Sequence, residues 1–206
     1  MPAFSDADHA HMTRALELAA RGLDTATPNP RVGCVLVKDG MAIGEGFHAR
    51  AGLPHAEINA LVDAKSRGRD PRGATAFVTL EPCNHEGRTP PCTDALVAAG
   101  IRRVVAAMAD PNPEARQGTD RLREAGIAVE VGLMEREARE LNAGFISRKT
   151  RGRPWVRLKV AASLDGRTAL SSGESQWITG EAARADGHRF RARACAIRRS
   201  DGPARS

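Results

Sequence analysis

Residues 74–108 read ATAFVTLEPCNHEGRTPPCTDALVAAGIRRVVAAM, and their order decides the fold. Ala74–Leu80 is apolar and rich in strand-favouring side chains, which predicts a buried strand. It runs into Glu81-Pro82-Cys83 and then a polar, Gly/Pro-rich loop from Asn84 to Pro91. Cys92 opens a short helix over 93–99, for which Gly100 is a good C-cap. Val104–Met108 is another strand, ending at Asp110-Pro-Asn-Pro113. Helix 117–125, strand 127–131 and helix 134–143 continue the alternation toward the C-terminus.

Toward the N-terminus, Ser5 is an N-cap, and Met12, Leu16, Ala19, Ala20 and Leu23 recur at helical spacing. Thr27-Pro-Asn-Pro30 ends that helix. Val32–Val37 and Met41–Phe47 read as strands joined by the hairpin signal Lys38-Asp39-Gly40. Pro54 precedes a helix that starts at His55 and stops before Gly68. Alternating strands and helices predict an α/β sheet with helices on both faces.

With 41% hydrophobic residues in 206, the chain can bury a core, so a wholly disordered chain is excluded. No window approaches 18 apolar residues, so no membrane-spanning helix is expected. The start, MPAFSDADHAHM, lacks the basic and apolar regions of a signal peptide, and a cytoplasmic protein is expected. The net charge of +6 invites a nucleic-acid partner, but its distribution argues otherwise. Residues 1–147 hold 17 basic and 20 acidic side chains, a net of −3. Residues 148–206 hold 14 and 5, a net of +9. No Tyr and only 3% aromatics leave base-stacking platforms poorly supplied. The expected partner is a small molecule, with no nucleic acid and no membrane. The competing readings are an RNA-binding module using the basic tail, and an inactive fragment.

The chemistry lies in His55-Ala-Glu57 at a helix start, followed by Pro82-Cys83 and, nine residues on, Cys92. One imidazole and two thiolates make three zinc ligands and leave a fourth tetrahedral position for water. Glu57, two residues from His55, is placed to reach that water without ligating the metal. This is the arrangement of zinc nucleobase deaminases, in which the Glu moves protons. A closed structural site would want a fourth ligand, and His85 is close in sequence. Eight residues separate the two cysteines where two are usual, and they add His85 and Arg88, groups suited to a phosphate. Cys34, in an apolar strand, reads as core.

Pro28-Asn-Pro-Arg-Val-Gly33, His48 before His55-Ala-Glu57, the segment Glu81–Cys92 and Asp110-Pro-Asn-Pro113 resemble the deaminase domain of the RibD family. These are bifunctional deaminase/reductases of riboflavin biosynthesis. The resemblance implies a three-layer α/β/α cytidine-deaminase-like domain over residues 1–147, one Zn²⁺, and dimers or tetramers. The implied substrate is 2,5-diamino-6-ribosylamino-4(3H)-pyrimidinone 5′-phosphate, deaminated at ring position 2 to 5-amino-6-(5-phosphoribosylamino)uracil. It assigns His55, Cys83 and Cys92 to zinc and Glu57 to proton transfer. Asn29 and His48 would contact the base and ribose side, and His85 and Arg88 the phosphate. From the residues alone, Asn29 reads equally as a turn residue between prolines, and His48 and Arg88 as solvated loop side chains.

From Arg148 the composition shifts. Arg148-Lys-Thr-Arg-Gly-Arg-Pro154 reads as a linker, Trp155–Ala162 as a strand and Glu181–Arg193 as a helix. Residues 153–167 and 173–180 resemble the opening of the family's NADPH-dependent, dihydrofolate-reductase-like domain. That resemblance implies NADP contacts at Ala161 and Trp177, and ribose-phosphate contacts at Ser175 and Arg191. Without it, Trp155 and Trp177 read as core, and Arg189, Arg191 and Arg193 as a solvated helix face. After Ile197 the sequence leaves the pattern and reads as disordered. Only 59 residues follow Ser147, against roughly 200 for a doubly wound cofactor domain. An incomplete reductase domain without reductase activity is expected over 148–206.

Overall fold

The computed structural model describes residues 4–86, 90–113, 117–194 and 196–197. They fall into two compact units, the first ending at Trp155 and the second starting at Val156. The first unit is built on a five-stranded sheet of order β2-β1-β3-β4-β5. Its strands are β1 (Gly33–Lys38), β2 (Met41–Phe47), β3 (Thr75–Val78), β4 (Arg103–Ala106) and β5 (Ala128–Val131). β1 runs antiparallel to β2 and β3, while β3, β4 and β5 are parallel. The β1–β2 turn is Asp39-Gly40, both with positive φ, as a two-residue hairpin of matching twist requires.

Helix α1 (Asp6–Ala20) begins with a reciprocal cap: Ser5 Oγ accepts from Asp8 N, and Asp8 accepts from Ser5 N. It lays Met12, Ala15, Leu16 and Ala19 on the sheet. Helix α2 (Ala56–Ser66) lies on the opposite face, followed by α3 (Cys92–Ala98) and α4 (Gly118–Glu124). Two glycines permit this closeness. A Cβ on Gly33 would sit 2.0 Å from the Ala15 carbonyl oxygen of α1. One on Gly46 would sit 2.3 Å from the Ala56 carbonyl oxygen of α2. The start of α2, which carries His55 and Glu57, is thereby pressed against the sheet. Helices α5 (Glu135–Leu141) and α6 (Ala143–Arg151) complete the unit, with α5 against α1. Helices thus cover both faces, and the deaminase-like three-layer fold is present. Cys34 is fully buried in the core as expected.

Three expectations need correction. Arg148–Arg151 is the last turn of α6, not a linker. Its basic residues suit a helix C-terminus, and Arg148 Nη2 donates to the Pro28 carbonyl at 2.8 Å. Trp155–Ala162 is not a strand, because no other segment among the described residues pairs with it. A strand is stabilised by its ladder, and strand-favouring side chains do not replace one. Trp155 and Trp177 are exposed, 51% and 71%, rather than core. Among the described residues the second unit has one helix, α7 (Glu181–Ala192), within the span expected. Val156, Leu158, Val160 and Leu164 are exposed. The expected disorder after Ile197 lies outside the described residues.

Candidate metal centre

Three short segments converge at the C-terminal end of β3. His55 is the N-cap residue of α2, with extended backbone. Cys83 follows the turn Glu81-Pro82 out of the β3 run. Cys92 is the first residue of α3. His55 Nδ1 lies 3.3 Å from Cys92 Sγ and 3.5 Å from Cys83 Sγ. The three ligand atoms all lie within 4.8 Å of one another.

These separations suit a tetrahedral ion. Zn–S near 2.3 Å and Zn–N near 2.0–2.1 Å place the N and S ligand atoms about 3.6 Å apart. The donor set of two thiolates and one imidazole is likewise zinc chemistry. Among the described residues the cluster has three members, so the closed four-ligand alternative is not formed. His85, its proposed fourth member, is exposed.

The thiols share charge unequally. The hydrogen bond between the Cys83 and Cys92 thiols holds Cys83 well below the usual thiol range, with His55 adding to the effect. The same bond and burial push Cys92 well above the usual thiol range. The backbone N–H of Cys92 also faces Cys83 Sγ at 3.5 Å. The bond to Cys83 raises His55. Glu57 is 3% exposed on the first turn of α2, outside the ligand triad. Burial, and then the Cys83 charge, push its carboxyl up to about 7.

Beside the triad, the His48 ring meets the His55 ring edge-on at 5.3 Å. His48 Nδ1 lies 3.2 Å from the Pro54 carbonyl, and Nε2 lies 3.1 Å from Asn29 Nδ2. A carbonyl only accepts, so Nδ1 carries the proton and Nε2 accepts from Asn29. Burial lowers the His48 pKa, which agrees with a neutral ring. Asn29, His48, His55, Cys83, Cys92 and Glu57 are therefore brought into one place. His85 lies on the exposed loop after Cys83, near enough to influence the Asp110 carboxyl, and Arg88 lies outside the described residues. In the second unit, Ser175 and Trp177 are exposed and Ala161 and Arg191 half-buried. Trp177 stacks on Arg184 at 4.3 Å, and Arg191 faces His188.

Sequence reasoning missed Glu81. It is 5% exposed and accepts from Asp110 N, Thr119 N and Thr119 Oγ1 at 2.9–3.1 Å. It ties the Pro82-Cys83 turn to the loop after β4 and to α4. The close approach of Gly118 to the Pro82 carbonyl closes the same joint. It also missed Asn142, fully buried at the α5–α6 junction. Neither residue has a local signal, because among the described residues all their side-chain bonds but the one to Ala138 reach 29 or more positions away.

The fold and centre define a zinc-binding deaminase domain, and the chain belongs to the family of the cytidine and deoxycytidylate deaminase zinc-binding region, which matches residues 5–108. The RibD C-terminal domain matches residues 154–198. Within the family the likeness is to RibD. The chain is 59% identical over 191 residues to riboflavin biosynthesis protein RibD of Escherichia coli (strain K12), covering 92% of this chain and 51% of that one. Acinetobacter baumannii RibD superposes with a TM-score of 0.84 at 56% identity, covering 91% of this chain and 52% of that one. A diaminohydroxyphosphoribosylaminopyrimidine deaminase/5-amino-6-(5-phosphoribosylamino)uracil reductase from Thermotoga maritima superposes at 0.87 with 48% identity, covering 90% and 53%. The chain spans about half the length of the curated relatives it matches. No helix among the described residues is long and apolar enough to cross a membrane.

Proposed function

We propose that this chain is the zinc-dependent deaminase of the RibD reaction. It would convert 2,5-diamino-6-ribosylamino-4(3H)-pyrimidinone 5′-phosphate and water to 5-amino-6-(5-phosphoribosylamino)uracil and ammonia. The observation that carries this reading is the His55–Cys83–Cys92 triad with a buried, non-ligating Glu57 beside it. His55, Cys83 and Cys92 would hold the zinc, whose Lewis acidity would make water a nucleophile near neutral pH. Glu57 would carry one proton of the attacking water to the departing amine, and the second would end on the ring nitrogen beside carbon 2. The water oxygen bonds to ring carbon 2, the C–N bond breaks, and nitrogen leaves as ammonia. Asn29 and His48 line the base and ribose side, and His85 and Arg88 bind the phosphate. Thiolate ligands need a reducing compartment, which supports a cytoplasmic enzyme. The helical, docked Arg148–Arg151 segment supports extending the deaminase part through α6 to Trp155.

The deciding variant is Glu57→Gln, which keeps the shape and removes the proton carrier. A loss of roughly 10²–10⁴ in kcat with one zinc per chain retained is expected. Full activity in that variant overturns the mechanism. We also propose that the chain as given lacks reductase activity. Ser175 and Trp177 are exposed, and Ala161 and Arg191 only half-buried. NADPH oxidation, followed at its nicotinamide absorbance with the deaminated product, is expected at background.

A further inference from the structure

The Pro28-Asn29-Pro30-Arg31 loop carries Asn29, and Arg31 is buried at its end. Asn29 N bonds only back to Ala26 O at 2.9 Å, and Arg31 Nη2 reaches Leu23 O and Thr27 Oγ1 within the same turn. Part of the loop's outside support comes from more than a hundred residues later. Asn142 Oδ1 accepts from Arg31 N at 2.8 Å, and Asn142 Nδ2 donates to Arg31 O at 3.0 Å. A side-chain amide thus pairs with both backbone groups of one residue, as a neighbouring strand would. Asn142 is itself held, since Nδ2 also donates to Ala138 O at 3.2 Å and the residue is 0% exposed. Its place between α5 and α6 fixes it from both sides. Arg148 of α6 adds a bond to the Pro28 carbonyl. Two residues from the clamped Arg31, Asn29 makes its bond to His48 Nε2, and His48 borders the zinc ligand His55.

We propose that Asn142 is a positioning residue for the deaminase site: it holds the 28–31 loop at the height where Asn29 meets His48. The geometry is what recommends it over a merely structural role. A buried amide could satisfy the α5–α6 junction through Ala138 O alone. Here both of its ends are spent on the residue two positions from Asn29. The consequence for substrate rests on the function proposed above, and the clamp itself does not.

The first measurement needs no turnover. In ¹⁵N-histidine-labelled full chain, His48 Nε2 is an acceptor and Nδ1 a donor, which gives two well-separated nitrogen resonances. Asn29→Ala assigns the Nε2 signal by shifting it. Asn142→Ala is expected to shift the same signal in the same direction, while Leu122→Ala, a buried cavity variant on α4, leaves it in place. Arg148→Met, on an exposed contact, is expected to move it less. If Asn142→Ala does not fold, Asn142→Asp is read instead. It keeps the acceptor for Arg31 N and loses the donor to Arg31 O. A His48 signal unmoved in the Asn142 variant overturns the proposal, whatever the chain turns over.

The second measurement is kinetic. Asn142→Ala is expected to raise KM about tenfold, the worth of about one hydrogen bond, with kcat within threefold and zinc content unchanged. In an Asn29→Ala background the same change is expected to add nothing to KM. Full additivity shows that Asn142 does not act through Asn29. A wild-type chain without deaminase activity overturns the function proposed above and leaves the nitrogen signal to decide the clamp.

Discussion

Two stretches of this chain read alike and end differently. Gly33–Lys38 is GCVLVK and Trp155–Val160 is WVRLKV, and both favour a strand by composition. The first is β1, paired on both sides and buried along nearly its whole length. The second forms no strand among the described residues, and Leu158 is 88% exposed. β1 gains one neighbour from the Asp39-Gly40 turn and another from β3, and two helices cover its faces. Strand preference is a fit to a paired, half-covered surface, so the same preference without neighbours yields open chain.

Trypsin gives the sharpest test of that contrast. Arg157, Lys159 and Arg167 lie on exposed segments without regular structure, whereas Arg103 sits inside β4. Cleavage at 157–167 is expected to be at least about 100-fold faster than inside Asp6–Arg151, because opening the first unit costs most of its folding free energy. Mass spectrometry of the time course reads this, and early cuts within the sheet would erase the distinction. Next in size is a matched pair of truncations. Leu36→Ala, fully buried on β1, is expected to cost about 2–5 kcal/mol in denaturant unfolding. Leu158→Ala is expected to stay within about 0.5 kcal/mol.

A smaller effect, within the first unit, depends on pH. Asp8 pairs with Arg103 at 2.7 Å across α1 and β4. The Arg103 hydrogen bond holds the Asp8 carboxyl at about 2, down from 3.8. A depressed carboxylate stabilises the fold above its unfolded pKa and loses that contribution as pH falls through the folded one. Wild type is therefore expected to exceed Asp8→Asn by about 1–2 kcal/mol at pH 7, allowing for solvent screening. Thermal melts should show the gap closing between pH 4 and 2, and a gap that does not change with pH would remove the pair from the account.

Element positions in the first unit were legible because each carries a local signal. Ser5 and Asp8 announce α1, Asp39-Gly40 the hairpin, and Gly100 the end of α3. The metal ligands were legible for a chemical reason: imidazole and two thiolates at those spacings have few other uses. Asn29 and His48 entered only through the resemblance, since a turn Asn and a loop His carry no local mark. Their hydrogen bond appears only when the end of α1 meets the end of β2. Trp155 and Trp177 misled because large aromatics are usually covered, and here both are exposed.

The sequence by itself determined the alternation of strands and helices, the three ligand residues and the non-ligating Glu57. Those properties depend on short-range spacing and on side-chain chemistry. Tertiary structure alone decided that Arg148 belongs to α6, that Glu81 ties the Cys83 turn to α4, and that Asn142 grips Arg31. It also decided which β-like runs became strands. Each of these depends on groups far apart in the chain, and only the closed fold brings a buried donor to a distant acceptor.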